Sequence, residues 1–217
     1  MPIKTIILDF DGTLASSFEG IWTCMRETLT HYNFADPTLQ QVRNTIGLTL
    51  EESMHRLTQG LCEEPLTSEM VKFYRALHTT KAAPHTRLFD GAIPTLAELR
   101  ARNIFIILVS NKGRAGLHQL IAQLKIADYI DIVLSAEDIA HRKPDARLYT
   151  HHIKPLLTLT PASQTLVVGD TETDILFAKN ANLFSCWATY GYGDQQRCKA
   201  LLPDFELQAL ADLPALI

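Results

Sequence analysis

Long apolar runs are missing from this 217-residue chain. No stretch approaches the ~18 consecutive apolar residues that a membrane-crossing helix needs. A secretory leader is missing too, because the apolar run that starts at Ile3 soon meets Asp9 and Asp11. Runs of Lys and Arg are absent and the formal net charge is -4, so nothing draws the chain toward a polyanion such as nucleic acid. Cysteine is scarce: Cys24, Cys62, Cys186 and Cys198 form no CxxC pair and have no zinc-type spacing with the eight histidines. Internal repeats and low-complexity segments are also lacking, and no stretch marks a dimer face. These absences describe a cytoplasmic protein with reduced thiols and no membrane or nucleic-acid partner.

What remains is ordinary globular material, 47% hydrophobic and 20% charged, enough for a sizeable core. Five short apolar runs read as buried strands: Ile3 to Phe10, Ile104 to Ser110, Tyr129 to Leu134, Thr165 to Gly169 and Leu183 to Trp187. Helical spacing fills the gaps between the later runs. It places Ile93, Leu96 and Leu99 on one face, then Leu117, Leu120, Ile121 and Leu124, followed by Ala146 to Leu157 and Thr173 to Ala181. Alternating strands and helices predict an α/β fold, a Rossmann-like parallel five-stranded sheet covered on both faces. The interval from Ser16 to Thr86 has no convincing strand but four amphipathic patterns: Phe18 to Tyr32, Leu39 to Thr45, Leu50 to Gln59 and Ser68 to Thr80. A crossover needs one helix, so the excess predicts an inserted helical cap over 16–86, between core segments 1–15 and 87–217. The tail from Phe205 to Ile217, with Leu207, Leu210 and Leu213, reads as a last amphipathic helix.

Four polar constellations fall at strand ends. Asp9 and Asp11 are two apart on a strand, so both carboxylates can face one pocket. Gly12 permits a tight exit there, and Thr13 offers a hydroxyl or an N–H. A calcium loop starting at Asp9 fails, because positions six and twelve hold Leu14 and Gly20. Val168-Gly169-Asp170 ends a second strand, and Asp174 lies one helical turn beyond Asp170. Ser110-Asn111 supplies a hydroxyl, an amide and free N–H groups suited to a phosphoryl oxygen. Lys143, held by Pro144 in an extended conformation, can be presented from a loop. Each piece alone is an ordinary turn. Together they line the carboxyl ends of successive parallel strands, where such sheets place ligands. Four carboxylates, able to hold a hard cation with one to spare, together with a lysine and donors for an anion, describe phosphoryl transfer.

In order and spacing, Asp9-Phe-Asp-Gly-Thr-Leu14, Ser110-Asn-Lys112, Lys143-Pro144 and Gly169-Asp-Thr-Glu-Thr-Asp174 resemble the haloacid dehalogenase superfamily of aspartyl phosphatases. Tyr190-Gly-Tyr-Gly193 and Ile46-Gly-Leu-Thr-Leu-Glu-Glu52 are similar to its capped, phosphoglycolate phosphatase-like branch. The resemblance implies that Asp9 attacks phosphorus and that Asp11 protonates the leaving oxygen and then deprotonates water. It implies that Gly12, Thr13, Ser110 and Asn111 seat phosphoryl oxygens and that Lys143 screens charge. Mg2+ would be held by Asp9, the Asp11 carbonyl and Asp170, with Asp174 behind them or reaching the ion through water. Asp11 argues against dehalogenation, and a phosphomutase or a pyrophosphatase on the same core remains an alternative. A phospho-accepting receiver module does not fit, since receivers carry an adjacent acidic pair after strand one and no helical insert. The substrate expected is a small phosphorylated metabolite, chosen by the cap, with Arg43, Asn44 and Gly47 as candidates to face it. Ala15-Ser16-Ser17 departs from the Val-Asp-Ser common in that branch and leaves the hinge contacts open. His141 and Arg142 could add positive charge beside Lys143.

Overall fold

In the computed structural model, which describes residues 3–157 and 160–217, strand β1 (Thr5–Leu8) occupies the middle of a parallel sheet. Its residues alternate between two cores, as the period of a strand requires. Ile6 and Leu8 join a cluster with Ile106, Leu108, Leu166 and Val168, while Ile7 joins Ile107, Val109 and Val167 on the opposite face. A strand buried on both sides gains roughly 1.5–3 kcal/mol from each such side chain, which accounts for its unbroken apolar run.

The chain leaves β1 through a two-residue strand, β2 (Ala15–Ser16), and enters four helices: α1 (Phe18–His31), α2 (Leu39–Arg43), α3 (Leu50–Leu57) and α4 (Leu66–Leu77). A π-type turn, His78–Ala82, extends α4. Reciprocal capping by Thr38 with Gln41, and by Thr49 with Glu52, starts α2 and α3. These helices bury a core of their own, including Cys24, Met25, Leu29, Met54, Met70 and Tyr74. The return strand β3 (Arg87–Leu88) pairs antiparallel with β2, joining Ala15 to Leu88 and Ser16 to Arg87. The two crossings between helices and sheet are therefore tied to each other.

The rest alternates: α5 (Ala92–Ala101), β4 (Phe105–Val109), α6 (Arg114–Gln123), β5 (Ile132–Leu134), β6 (Thr165–Gly169), α7 (Glu172–Asn180), β7 (Phe184–Ala188), α8 (Gln195–Ala200), β8 (Phe205–Leu207) and α9 (Leu213–Leu216). Sheet order is β5-β4-β1-β6-β7-β8, with all pairings parallel. Ala146 to Leu157 is helical in irregular form, a π-type segment Leu148–Ile153 followed by the 3-10 turn Lys154–Leu156.

Two expectations need correction. The sheet has six strands among the described residues, not five, because the tail is not one helix. Leu207, Leu210 and Leu213 all enter the main core, but from β8, a 3-10 turn and α9 in succession. Asp204 fixes this arrangement: its Oδ2 accepts from the Ser185 N–H at 2.8 Å and hydroxyl at 2.7 Å, setting β8 beside β7. Ile93 is 36% exposed, so α5 buries Leu96 and Leu99 without it.

All four thiols are buried and unpaired. Burial pushes Cys24 up to about 11 and Cys186 up to about 12. The thiolate is the reacting form. The folded protein at about pH 8 should therefore resist an aromatic disulfide reagent for many minutes, whereas denaturant should release all four thiols at once. Rapid labelling of the folded chain would contradict this packing. Among the described residues, no helix is long and apolar enough to cross a membrane.

Candidate active site

Strands β1, β4 and β6 end side by side, and each delivers a polar residue at its carboxyl end. Asp9 follows β1, Ser110 follows β4 and Asp170 follows β6. The chain order reverses at β1, with β4 and β5 added on one side and β6 to β8 on the other, which opens a crevice at that edge. Lys143 reaches the crevice from the turn after β5, through a cis bond to Pro144.

The charged center is tightly drawn. Lys143 Nζ donates to Asp9 Oδ1 at 2.5 Å and to Asp174 Oδ1 at 2.6 Å. Asp174 sits in the first turn of α7, where its Oδ2 accepts from the Thr171 N–H and hydroxyl at 3.1 and 2.8 Å. Asp170 accepts from the Thr13 hydroxyl at 3.1 Å and from the Tyr192 N–H at 2.6 Å. Carboxylate oxygens of Asp9, Asp170 and Asp174 lie within 4.8 Å of one another. An all-oxygen donor set of this kind suits a hard divalent cation.

Electrostatics agree with a site built for more positive charge than one lysine. Burial pushes Asp9 up to about 7 against the pull of Lys143, with Asp174 adding repulsion. Asp170 is held well above the usual carboxylate range by burial and then by Asp9 and Asp174. Burial alone would lower Lys143, but Asp174 and Asp9 hold it above the usual lysine range. Crowded, buried carboxylates are relieved by a cation or by a proton.

Above this center is a cavity of 240 Å³. Asp9, Asp11, Ser110, Asn111, Lys112 and Lys143 form its floor, and Ile46, Gly47, Leu48, Tyr74, Arg75 and His78 line it from the helical side. Its size suits a small metabolite rather than a polymer. Asp11 Oδ2 lies 3.2 Å from Lys112 Nζ, while its buried Oδ1 has no partner among the described residues. Asn111 Nδ2 donates to the Gly47 carbonyl at 2.8 Å. Gly47 has φ +90, and a β-carbon there would stand 2.8 Å from Thr171 Oγ1. Close approach of helices to sheet thus depends on this glycine.

Several predicted residues stand elsewhere. Gly12 and Thr13 do not line the cavity. The Gly12 N–H donates to the Ala15 carbonyl at 2.8 Å, and the Thr13 hydroxyl is taken by Asp170. Gly12 has φ +90, and a β-carbon there would lie 2.2 Å from Asp170 Oδ2, so the pair shapes the bed of Asp170. Asp174 carries a carboxylate oxygen within the acidic cluster itself, whereas the Asp11 carboxylate turns toward Lys112.

Arg43 and Asn44 also miss the cavity. Arg43 donates from Nε to the Tyr192 carbonyl and from Nη2 to the Gly191 carbonyl, both at 3.1 Å, and lies over the Tyr192 ring. It fastens α2 to the loop that holds Asp170. Asn44 is exposed and accepts from Gln40 one helical turn away. Arg142 lines the wall but donates to the Ala136 carbonyl, and His141 faces Asp145. The hinge left open by Ser16 is held by Tyr192, whose hydroxyl accepts from the N–H groups of Ser17 and Phe18 at 2.7 and 3.1 Å. His78, Tyr74 and Arg75 carry no signal of their own in the sequence. Lys112 stands inside a quoted motif, so its neighbours could have flagged it.

Comparison with known proteins agrees with this geometry. The phosphoglycolate phosphatase of Vibrio vulnificus (strain CMCP6) is 29% identical over 222 residues, covering 97% of this chain and 94% of its own. Pyrophosphatase PpaX of Bacillus mycoides (strain KBAB4) is 27% identical over 218 residues, covering 98% and 96%. A solved structure from Bacteroides fragilis, described as haloacid dehalogenase-like, matches with a TM-score of 0.89 at 28% identity, over 97% of this chain and 99% of that one. The haloacid dehalogenase-like hydrolase pattern matches residues 6–188. That span runs from β1 through β7, and the chain belongs to the haloacid dehalogenase-like hydrolase family.

Proposed function

We propose that the protein is a Mg2+-dependent phosphatase that hydrolyses a small phosphorylated metabolite, phosphoglycolate-like in size, through an aspartyl-phosphate on Asp9. The observation that carries this reading is the Lys143 ammonium bonded to both Asp9 and Asp174, with Asp170 in the same acidic cluster, under a cavity that also holds Asp11.

The reaction then divides among the chain's own residues. The free oxygen of Asp9 attacks phosphorus, and the bond from phosphorus to the leaving oxygen breaks. Asp11 gives its proton to that oxygen, so the alcohol departs neutral. Asp11 next takes a proton from water, which attacks the aspartyl-phosphate and releases phosphate with Asp9 restored. Lys143 draws Asp9 back toward its ionised form against burial, which on balance still holds its carboxyl above the usual range. Ser110 and the backbone of Asn111 offer donors to the phosphoryl oxygens. Asp9, Asp170 and Asp174 fit a divalent ion, because three buried, mutually repelling carboxylates lie within reach of one center. Mg2+ held there, with the Asp11 carbonyl as a further oxygen, would screen the charge between nucleophile and phosphate. Residues 16–86 act as a cap that excludes bulk water and selects the leaving group.

A screen of phosphorylated metabolites and p-nitrophenyl phosphate tests this reading. Phosphate release is expected with Mg2+ and is expected to fall to background in chelator. Equal rates in chelator would remove the metal from the account, and no release from any monoester would remove the monoesterase reading. The relationship to a named pyrophosphatase favours one further substrate class, a phosphoanhydride. Two phosphates released from pyrophosphate, at a rate above that of every monoester, would select it.

A further inference from the structure

A chain of contacts links the helical segment to the floor of the cavity. His78, in the π-type turn after α4, is 5% exposed. Its Nε2 lies 3.1 Å from Lys112 Nζ, and the same ammonium lies 3.2 Å from Asp11 Oδ2. An ammonium has hydrogens to give and no lone pair to offer. Nε2 must therefore accept, which places the ring proton on Nδ1. Burial, reinforced by Lys112, pushes His78 down to about 3, so the ring stays a neutral acceptor throughout the neutral range. Tyr74 packs against the ring at a centroid distance of 6.0 Å.

The consequence concerns Asp11. Lysine carries its charge on a flexible stem with three donors, and Lys112 follows directly on Ser110 and Asn111. With one acceptor alone, the ammonium could swing among Asp11, the phosphate seat and solvent. Two acceptors, at 3.1 and 3.2 Å, fix it. Asp11 Oδ2 is then clamped, which fixes the orientation of the whole carboxylate, its buried Oδ1 being without a partner among the described residues. We infer that His78 is a positioning residue: brought by the helical segment, it holds Lys112 against Asp11, so that the acid/base carboxylate is oriented only when helices and sheet are closed together. This rests on the phosphatase reading above.

The test is a double-mutant cycle on p-nitrophenyl phosphate with Mg2+, using His78→Phe, Lys112→Met and the double variant, with His78→Gln as the conservative replacement. His78→Phe keeps ring volume and removes the acceptor. It should lower kcat by roughly ten- to a hundredfold, as misplacing a catalytic group does, with KM changed less than kcat. His78→Gln should recover most of the loss. The double variant should be no slower than Lys112→Met alone, since the two residues act as a unit. Wild-type kcat in His78→Phe, or losses that multiply, would overturn the inference. Nitrogen-15 spectra of the His78 ring supply a readout independent of turnover. They should show a proton on Nδ1 and an Nε2 resonance that moves in Lys112→Met, and a proton on Nε2 would contradict the contact. Absence of turnover in the wild type would bring down the phosphatase reading, and the catalytic role of His78 with it. Turnover that His78→Phe leaves intact would bring down the positioning role alone.

Discussion

Replacing Asp9 with Asn is expected to lower kcat by at least about 10⁴-fold, the scale on which loss of a covalent nucleophile is felt, while the protein still folds. The side chain is the same size, and the geometry around it tolerates a neutral group. Burial and the neighbouring Asp174 already work against the charged form of Asp9, so neutralising it relieves repulsion in the acidic cluster. Lys143 keeps Asp174 as a partner at 2.6 Å. Thermal stability of Asp9→Asn without metal should therefore equal or exceed that of the wild type at neutral pH. A variant that releases phosphate within about a hundredfold of the wild-type rate would remove Asp9 from the nucleophilic role. A stability loss of several degrees would show that the ion pair with Lys143 outweighs the repulsion.

The second large effect is expected at Asp11, with a dependence on leaving group that Asp9 does not share. A positioned acid or base is worth about 10²–10⁴-fold in rate. With an alkyl phosphate, Asp11→Asn loses both the acid of the first step and the base of the second. With p-nitrophenyl phosphate the leaving phenolate needs no proton, so attack by Asp9 should persist while hydrolysis of the aspartyl-phosphate slows. The variant should release one equivalent of p-nitrophenol in a burst and then turn over slowly. Equal losses on both substrates, without a burst, would place Asp11 outside proton transfer. The Asp11 carboxylate, with Oδ2 toward Lys112 and its buried Oδ1 without a partner among the described residues, is oriented for such exchange.

Much of this architecture is legible in the residues, for physical reasons. The runs containing β1, β4 and β6 are apolar because both faces of each are buried, so their ends, and the polar residues immediately beyond them, stand out. Asp9, Ser110 and Asp170 are therefore visible without coordinates, whereas Lys143 stands out only through its neighbour Pro144 and its order among the other motifs. Other parts are invisible because their signals are short or distant. Strands β2 and β3 have two residues each, too few to show a period. Strand β8 hides inside a leucine spacing that a helix would also produce, and its pairing with β7, secured by Asp204 on Ser185, tells them apart. Arg43 reads as a substrate contact because it is a charge near a glycine-containing cap segment, yet its acceptors are carbonyls 148 and 149 residues away. Thr13 offers a hydroxyl in the sequence, and that hydroxyl donates to Asp170, 157 residues away. His78 and Lys112 meet across 34 residues of chain, and no local pattern announces such a pair.

The central claim is that the Asp9 carboxylate, held by Lys143, carries the phosphoryl group during turnover. Its most direct test is to mix Asp11→Asn with p-nitrophenyl phosphate and Mg2+, quench in acid within the burst, and locate the bound phosphoryl group by mass spectrometry of the digested chain. The account predicts one phosphoryl group on the peptide containing Asp9, absent when Asp9→Asn is added to the same variant. A phosphoryl group on another residue, or a burst with no phosphorylated peptide at all, would contradict it.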